Sequence, residues 1–253
     1  ENYIKAKFNI VKNQTAEDFF IYNADDPVTA AHLKQYPFHS QPLPISMQRE
    51  LPKGAYIKDG TMQMKSSESM SMSIFDFALK GKHNQYNTMA AAVASSVLGI
   101  RKDKIRDAVA SFESLEHRME LVATVRGIDF INDSKATNVN STWFALESMT
   151  KPVILILGGV DKGNDYSLMM DLVKEKVRAI ICLGKENEKI HQAFGEIIPL
   201  IMDSSSAKEA VQLAYHYANK GEAVLLSPAC ASFDLFLNYE DRGTQFKQAV
   251  KEL

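Results

Sequence analysis

The chain has 253 residues, of which 45% are hydrophobic and 24% charged, and its formal net charge is −2. This length suits one large or two modest globular domains, and the near-zero charge gives little support for wrapping nucleic acid or lying on an anionic membrane. No apolar run approaches the roughly 20 residues that span a bilayer, and the N-terminus has no signal-peptide pattern. Cys182 and Cys230 each lie in an apolar run, which favours buried, reduced thiols. We therefore expect a cytoplasmic protein.

The first part of the chain, residues 1–114, predicts a mixed domain. Residues 2–12 carry apolar groups at helical spacing, and "DFFIYNADD" then predicts a short strand. The chain begins inside this helical pattern and without an initiator Met, so we expect it to be a fragment of a longer protein. Alternating segments between 37 and 79, with Asp59-Gly60 as a two-residue turn, predict an antiparallel insert. Two helices complete this domain, over residues 83–99 and 102–112.

From about residue 115 the pattern restarts and predicts a second domain that extends to residue 253. A hairpin, "MELVATVRGIDFIND", precedes a helix near 139–149. Apolar strands then alternate with helices; the strands are "PVILILGG", "RAIICLG", "AVLLSPA" and the shorter "PLIMDSS". Such runs are typical of a parallel sheet covered on both faces. The sequence therefore predicts a doubly wound α/β domain.

Polar residues follow four of these strands, and ligands of open parallel sheets bind outside the carboxyl ends of the strands. The four segments are "NDSKATN" (132–138), "GGVDKGN" (158–164), "GKENEK" (184–189) and "SPACASFD" (227–234). Lys135 and Lys162, with Thr137 and Ser232, suit the oxygen atoms of a phosphate or carboxylate. We expect an acidic small molecule at this edge.

Simpler explanations exist for parts of the pattern. Asn138 or Asn140 also suits the cap of the next helix, and an isolated Lys162 is often only solvated. Gly158-Gly159 is not a GxGxxG fingerprint. Cys230 is better explained by tight packing than as a nucleophile, because no base adjoins it in sequence. The six histidines show no zinc-type spacing such as HxxxH, which predicts no zinc site.

Five segments together resemble the Mur ligase family: "INDSKATN", "HNQYNTMAAA", "EHRME", "LGGVDKG" and "LSPACASFDLFLNYEDRG". The resemblance implies that residues 1–114 are the later part of a central ATPase domain and that residues 115–253 are a Rossmann-like, amino-acid-binding C-terminal domain. It implies an ATP- and Mg²⁺-dependent, amide-bond-forming enzyme of peptidoglycan biosynthesis. The carboxylate of UDP-N-acetylmuramoyl-L-alanine would be phosphorylated, and the amine of D-glutamate would displace the phosphate.

The resemblance also implies roles for particular residues. Asn84 and Asn87 match adenine-side positions, and the other ATP contacts match Arg118, Asp133 and Lys135. Lys135 would lie near the transferring phosphate, and strand alternation would place it on the same side as Asp133. Lys7 matches a lysine that the family carries as a magnesium-binding carbamate, which needs an amine of lowered pKa. The residues that match a D-glutamate pocket are Thr137, Lys162, Ser232, Phe233 and Tyr239.

One departure from the family pattern limits the prediction. The G-x-x-G-K-[ST] phosphate loop does not occur in these 253 residues, so we expect this chain alone to be inactive. Its partners would be small molecules rather than nucleic acid or membrane, and the full-length enzyme a monomer. The alternatives are a non-catalytic nucleotide- or amino-acid-binding module and another ligase of the family, either diaminopimelate- or lysine-adding or a folylpolyglutamate synthase. The absence of GxGxxG argues against a Rossmann-type oxidoreductase.

Overall fold

The computed structural model describes residues 2–67, 69–79, 81–112 and 115–253. The chain divides into two compact units, residues 1–113 and residues 114–253, called unit 1 and unit 2 below. In the described residues of unit 1, the strands are β1 (Phe19–Asn23), β2 (Gln41–Ser46), β3 (Gly54–Lys58), β4 (Thr61–Lys65) and β5 (Ser69–Ser73). The helices are α1 (Asn2–Phe8), α2 (Pro27–His32), α3 (Lys82–Val97) and α4 (Lys102–Ser111).

The sheet of unit 1 has the order β1-β2-β3-β4-β5. Strands β3, β4 and β5 pair antiparallel, and the turn between β3 and β4 is Asp59-Gly60, with φ of 49° and 71°. Strand β2 is parallel to both β1 and β3, so the prediction of a wholly antiparallel insert was wrong. Helix α2 is the crossover between β1 and β2, and Asp26 caps it by accepting hydrogen bonds from the backbone N–H groups of Val28 and Thr29.

One face of the unit 1 sheet is buried. Along β4 and β5 the buried positions alternate with exposed or half-buried ones, and the buried side chains are methionines. Helix α3 covers them with Met89 and Val93, and α4 adds Ile105. Helices α3 and α4 and the hairpin thus match the elements that the sequence predicted.

Unit 2 is built around a six-stranded sheet of order β10-β9-β8-β11-β7-β6. Only the β6–β7 hairpin is antiparallel, and the other pairs are parallel. The strands are β6 (Glu120–Val125), β7 (Ile128–Asn132), β8 (Val153–Leu157), β9 (Val177–Leu183), β10 (Ile201–Ser204) and β11 (Ala223–Leu226). The helices are α5 (Val139–Ser148), α6 (Met170–Lys176), α7 (Glu188–Phe194), α8 (Ala207–Tyr217) and α9 (Tyr239–Lys251).

Both faces of this sheet are covered. In β8, Val153, Leu155 and Leu157 belong to one core cluster, whereas Ile154 and Ile156 belong to another. All five side chains are buried, and each contributes about 1.5–3 kcal/mol of burial free energy. The prediction of a doubly wound α/β domain is confirmed. In the described parts of the chain, no helix is both long enough and apolar enough to cross a bilayer.

Candidate active site

The carboxyl ends of β7, β11 and β8 lie side by side, because these three strands are parallel neighbours in the sheet. The loops that follow them therefore begin at one edge. These loops contain six of the predicted site residues: Asp133, Lys135, Thr137, Lys162, Ser232 and Phe233.

The segment after β7 turns immediately instead of continuing as a strand. Asp133 extends the ladder by donating its backbone N–H to Leu226 O at 2.8 Å, and Ala136 N then donates back to Asp133 O at 2.9 Å. Because of this turn, strand alternation cannot relate the side chains of Asp133 and Lys135, which have different hydrogen-bond partners. That the two side chains face the same side stays a prediction.

The carboxylate of Asp133 is buried. It accepts hydrogen bonds from Ser227 Oγ at 2.9 Å and from Met119 N at 3.3 Å. Burial raises the pKa of Asp133 to about 7, and the hydrogen bonds and the charge of Arg118 oppose that rise only in part.

Lys135 is half-buried and held against α9. Its Nζ donates to Tyr239 Oη at 2.6 Å and lies 4.1 Å from the centroid of the Tyr239 ring. Ser134 Oγ donates to the backbone oxygen of the same tyrosine at 2.7 Å. The predicted phosphate lysine and the predicted substrate aromatic are therefore direct neighbours.

Arg118 lies on a constrained segment just before β6. The neighbouring residues His117 and Met119 have left-handed backbones, with φ of 63° and 45°. Buried His117 is fixed by Asn132, whose Nδ2 is 2.9 Å from its Nδ1. This segment holds the exposed Arg118 near Asp133. The positive charge of Arg118 offsets part of the rise in the pKa of Asp133.

The loops after β8 and β11 interlock. Val160 N donates to Ala231 O at 2.8 Å, and a Cβ on Gly159, whose φ is 126°, would lie 2.2 Å from that oxygen. Only glycine fits there. In these loops Ser232 is buried, whereas Lys162 is exposed and Phe233 is 70% exposed.

Arg242, to which the sequence assigned no role, connects two of these loops from α9. It is fully buried, and its guanidinium donates to Ser134 Oγ at 3.0 Å, to Ser134 O at 2.9 Å and to Cys230 O at 3.2 Å. Burial lowers its pKa to about 10, which leaves it charged at neutral pH. The only sequence signal was its position inside "NYEDRG".

Two of the simpler explanations also hold. Asn138 Oδ1 accepts a hydrogen bond from Ser141 N at 2.9 Å, so Asn138 caps α5. Cys230 is buried, and burial raises the pKa of its thiol, as expected for packing rather than for nucleophilic attack.

The remaining predicted residues lie in unit 1. Asn84 is half-buried and Asn87 exposed in the first turns of α3, and their i, i+3 spacing places them on one helical face. Lys7 is exposed on α1, with Nζ 5.2 Å from the centroid of the Tyr3 ring.

The mostly parallel α/β sheet gathers cations and a carboxylate at its carboxyl edge, where ligands of such sheets bind. Two family models match most of the chain: "Mur ligase middle domain" over residues 1–95 and "Mur ligase, glutamate ligase domain" over residues 117–230. The chain belongs to the Mur ligase family.

The chain is also similar in sequence to known ligases and in fold to solved structures. The chain is 53% identical over 254 residues to UDP-N-acetylmuramoylalanine–D-glutamate ligase of Christiangramia forsetii, and spans 57% of that protein. Among solved structures, a pseudomurein peptide ligase type C from Methanothermus fervidus has TM-score 0.69 and 15% identity, over 99% of this chain and 59% of that one. A MurF ligase from Thermotoga maritima in complex with ADP has TM-score 0.63 and 13% identity, and the match covers 98% of this chain and 57% of that one. At these identities the structural likeness concerns the fold.

Proposed function

We propose that the chain is part of an ATP-dependent, cytoplasmic ligase that joins D-glutamate to UDP-N-acetylmuramoyl-L-alanine through an acyl phosphate, in peptidoglycan biosynthesis. Residues 1–114 would be the later part of its central ATPase domain, and residues 115–253 its amino-acid-binding domain. The observation that carries the proposal is the cluster of Arg118, Asp133 and Lys135 beside the loops with Thr137 and Ser232. The relatives' name, at 53% identity, supports the choice of D-glutamate.

The nucleotide side of the site relies on positioned charge. Phosphoryl transfer depends mainly on positioning and on neutralising charge, and hydrogen bonds hold Lys135 and the segment of Arg118 in place. Lys135 would contact the transferring phosphate, and Arg118 another phosphate of ATP. Each carboxylate oxygen of Asp133 has capacity for a second hydrogen bond, which a ribose hydroxyl would supply.

The amino-acid side uses the neighbouring loops. Exposed Lys162 would pair with the side-chain carboxylate of D-glutamate, and Thr137 and Ser232 would supply hydroxyl groups. Phe233 and Tyr239 would supply aromatic surface. The partners would be these small molecules, and the full-length enzyme a monomer.

The adenine and metal contacts would come from unit 1. The amide groups of Asn84 and Asn87 present both donors and acceptors to a base, and the ADP in the MurF structure supports a nucleotide as ligand. Mg²⁺ prefers oxygen ligands, and Lys7 offers them only as a carbamate. As an exposed amine it does not fit the ion, so we assign no step to Mg²⁺.

Phosphate release tests the function. A chain extended to the length of the relatives is expected to release phosphate only when ATP, UDP-N-acetylmuramoyl-L-alanine and D-glutamate are all present. The 253-residue chain alone is expected to release none, because it has no phosphate loop. In the extended chain, Lys162→Ala should raise the KM for D-glutamate at least about tenfold, since it removes a charge-assisted hydrogen bond worth about 1.5–3 kcal/mol.

Lys174→Ala is the matched control, because Lys174 is also exposed but lies on α6. An unchanged KM in the Lys162 variant would refute the assignment of that lysine. Activity of the extended chain with another amino acid and none with D-glutamate would refute the proposed substrate.

A further inference from the structure

Three side chains that the proposed function does not use meet at the β10 edge of unit 2. They are Cys182 of β9, Asp203 of β10 and His191 of α7. The sulfur, one carboxylate oxygen and one ring nitrogen all lie within 4.8 Å of one another. His191 Nε2 is 3.1 Å from Asp203 Oδ1. We call these residues the edge cluster.

The backbone places these residues together. Cys182 and Asp203 are direct partners in the parallel β9–β10 ladder, so their side chains project from the same face of the sheet. Helix α7 packs on that face through Ile190 and Phe194, which share a core cluster with Cys182. His191 follows Ile190 along α7, and its side chain is half-buried at the edge of that core.

The chemistry of the edge cluster suits a borderline-soft metal ion. A thiolate, an imidazole and a carboxylate are zinc ligands, whereas Mg²⁺ would favour oxygen atoms alone. Two of the three groups are accessible, with side-chain exposures of 40% for His191 and 60% for Asp203. The thiol of Cys182 lies buried beneath them.

The surroundings provide further features of a metal site. Asn187 Nδ2 donates to Asp203 Oδ1 at 2.9 Å, and such outer hydrogen bonds orient metal ligands. Asn187, His191 and Asp203 also line a cavity of about 460 Å³. Three protein ligands beside a cavity leave a fourth coordination position for water or a small ligand.

We propose that Cys182, His191 and Asp203 bind Zn²⁺, with the fourth position open to the cavity. The Cys182 S–H bond breaks as the S–Zn bond forms, and the proton leaves to solvent, while His191 binds as the neutral imidazole. Each ion bound therefore releases one proton from the thiol, and affinity rises with pH. The site is independent of the proposed ligase function.

Metal titration of the tag-free 253-residue protein tests the site, with Co²⁺ as a spectroscopic substitute for Zn²⁺. We expect a thiolate-to-cobalt charge-transfer band that Zn²⁺ abolishes. Cys182→Ser should eliminate the band. The side chain of His191 is partly exposed, so His191→Gln leaves the core intact. This variant should bind Zn²⁺ at least about tenfold more weakly in calorimetry.

Two controls match these variants. Cys230→Ala removes the other buried thiol, whose sulfur neighbours Asn164 and Tyr166 rather than metal-ligand groups, and should keep the band. His216→Gln alters an exposed histidine on α8 and should bind Zn²⁺ as wild type does. The proposal is overturned if wild type shows no band, if Cys182→Ser keeps it, or if His191→Gln binds Zn²⁺ normally.

Discussion

Asp133 shows, at the scale of one residue, how burial couples the site to pH. Its pKa is raised to about 7, whereas a carboxyl in the unfolded chain titrates near 4. Between these values the folded state holds the proton and the unfolded state has released it. Stability therefore falls as pH rises through this window and becomes constant above the folded pKa.

Asp133→Asn should remove this dependence. The amide keeps the shape of the side chain, and the Ser227 hydroxyl can rotate to accept from the new NH₂ group. Relative to wild type, the variant should gain about 2–3 kcal/mol in free energy of unfolding between about pH 5 and about pH 8. Urea denaturation at the two pH values measures the difference.

Asp129→Asn is the control. The hydrogen bond from Lys151 lowers the pKa of Asp129, so its contribution is lost only at acid pH and should be constant between about pH 5 and about pH 8. A wild-type-to-Asp133→Asn difference that is the same at both pH values would show that Asp133 is not protonated in the folded protein.

At the scale of elements, α9 holds the site loops together through Arg242. Arg242→Met should lower the free energy of unfolding by about 2–4 kcal/mol, because the Ser134 and Cys230 oxygens lose buried, charge-assisted partners. Denaturant unfolding of unit 2 measures the loss. Arg126→Met alters an exposed arginine in the β6–β7 turn and should change stability by no more than about 0.5 kcal/mol. Equal effects of the two variants would mean that Arg242 does not connect the loops.

The sequence pattern predicts some of the strands and helices but not others. Strands β8, β9 and β11 could be predicted because burial on both faces makes a strand apolar throughout. The parallel pairing of β2 with β1 depends on the crossover helix α2, which has only six residues and is too short to show a period. Strand alternation does not apply beyond Asp133, because the chain turns there. Arg242 could not be recognised, since the burial of its guanidinium depends in part on Ser134, which is 108 residues away in the chain.

For the candidate site, the cations and hydroxyls at the sheet edge could be located because parallel strands align their carboxyl ends. The roles of these residues came from the family resemblance and remain predictions. The sequence predicted no zinc site, and it did not single out the edge cluster for which one is proposed. Its three residues come from two strands and a helix, so no short spacing between histidines in the sequence indicates the cluster.

At the scale of the whole molecule, unit 2 has its own two cores. Among the described residues, both clusters draw only on the range from Met119 to Val250. Helix α9 contributes Phe246, Ala249 and Val250 to one of them, and Lys247 of the same helix pairs with Glu120 at 2.5 Å. Unit 2 therefore has what an independently folding domain requires.

We accordingly expect residues 115–253, expressed alone, to unfold in one cooperative transition, whereas residues 115–238, which lack α9, should not fold. Removing α9 takes away the buried Phe246 and Val250 and the hydrogen bonds of Arg242. Together these contribute about 5–10 kcal/mol to the free energy of unfolding. That is comparable to the whole stability of a typical domain. Circular dichroism during thermal and urea unfolding measures both chains. A cooperative transition in the shorter chain would show that α9 is dispensable, and its absence in the longer chain would show that unit 2 depends on residues outside it.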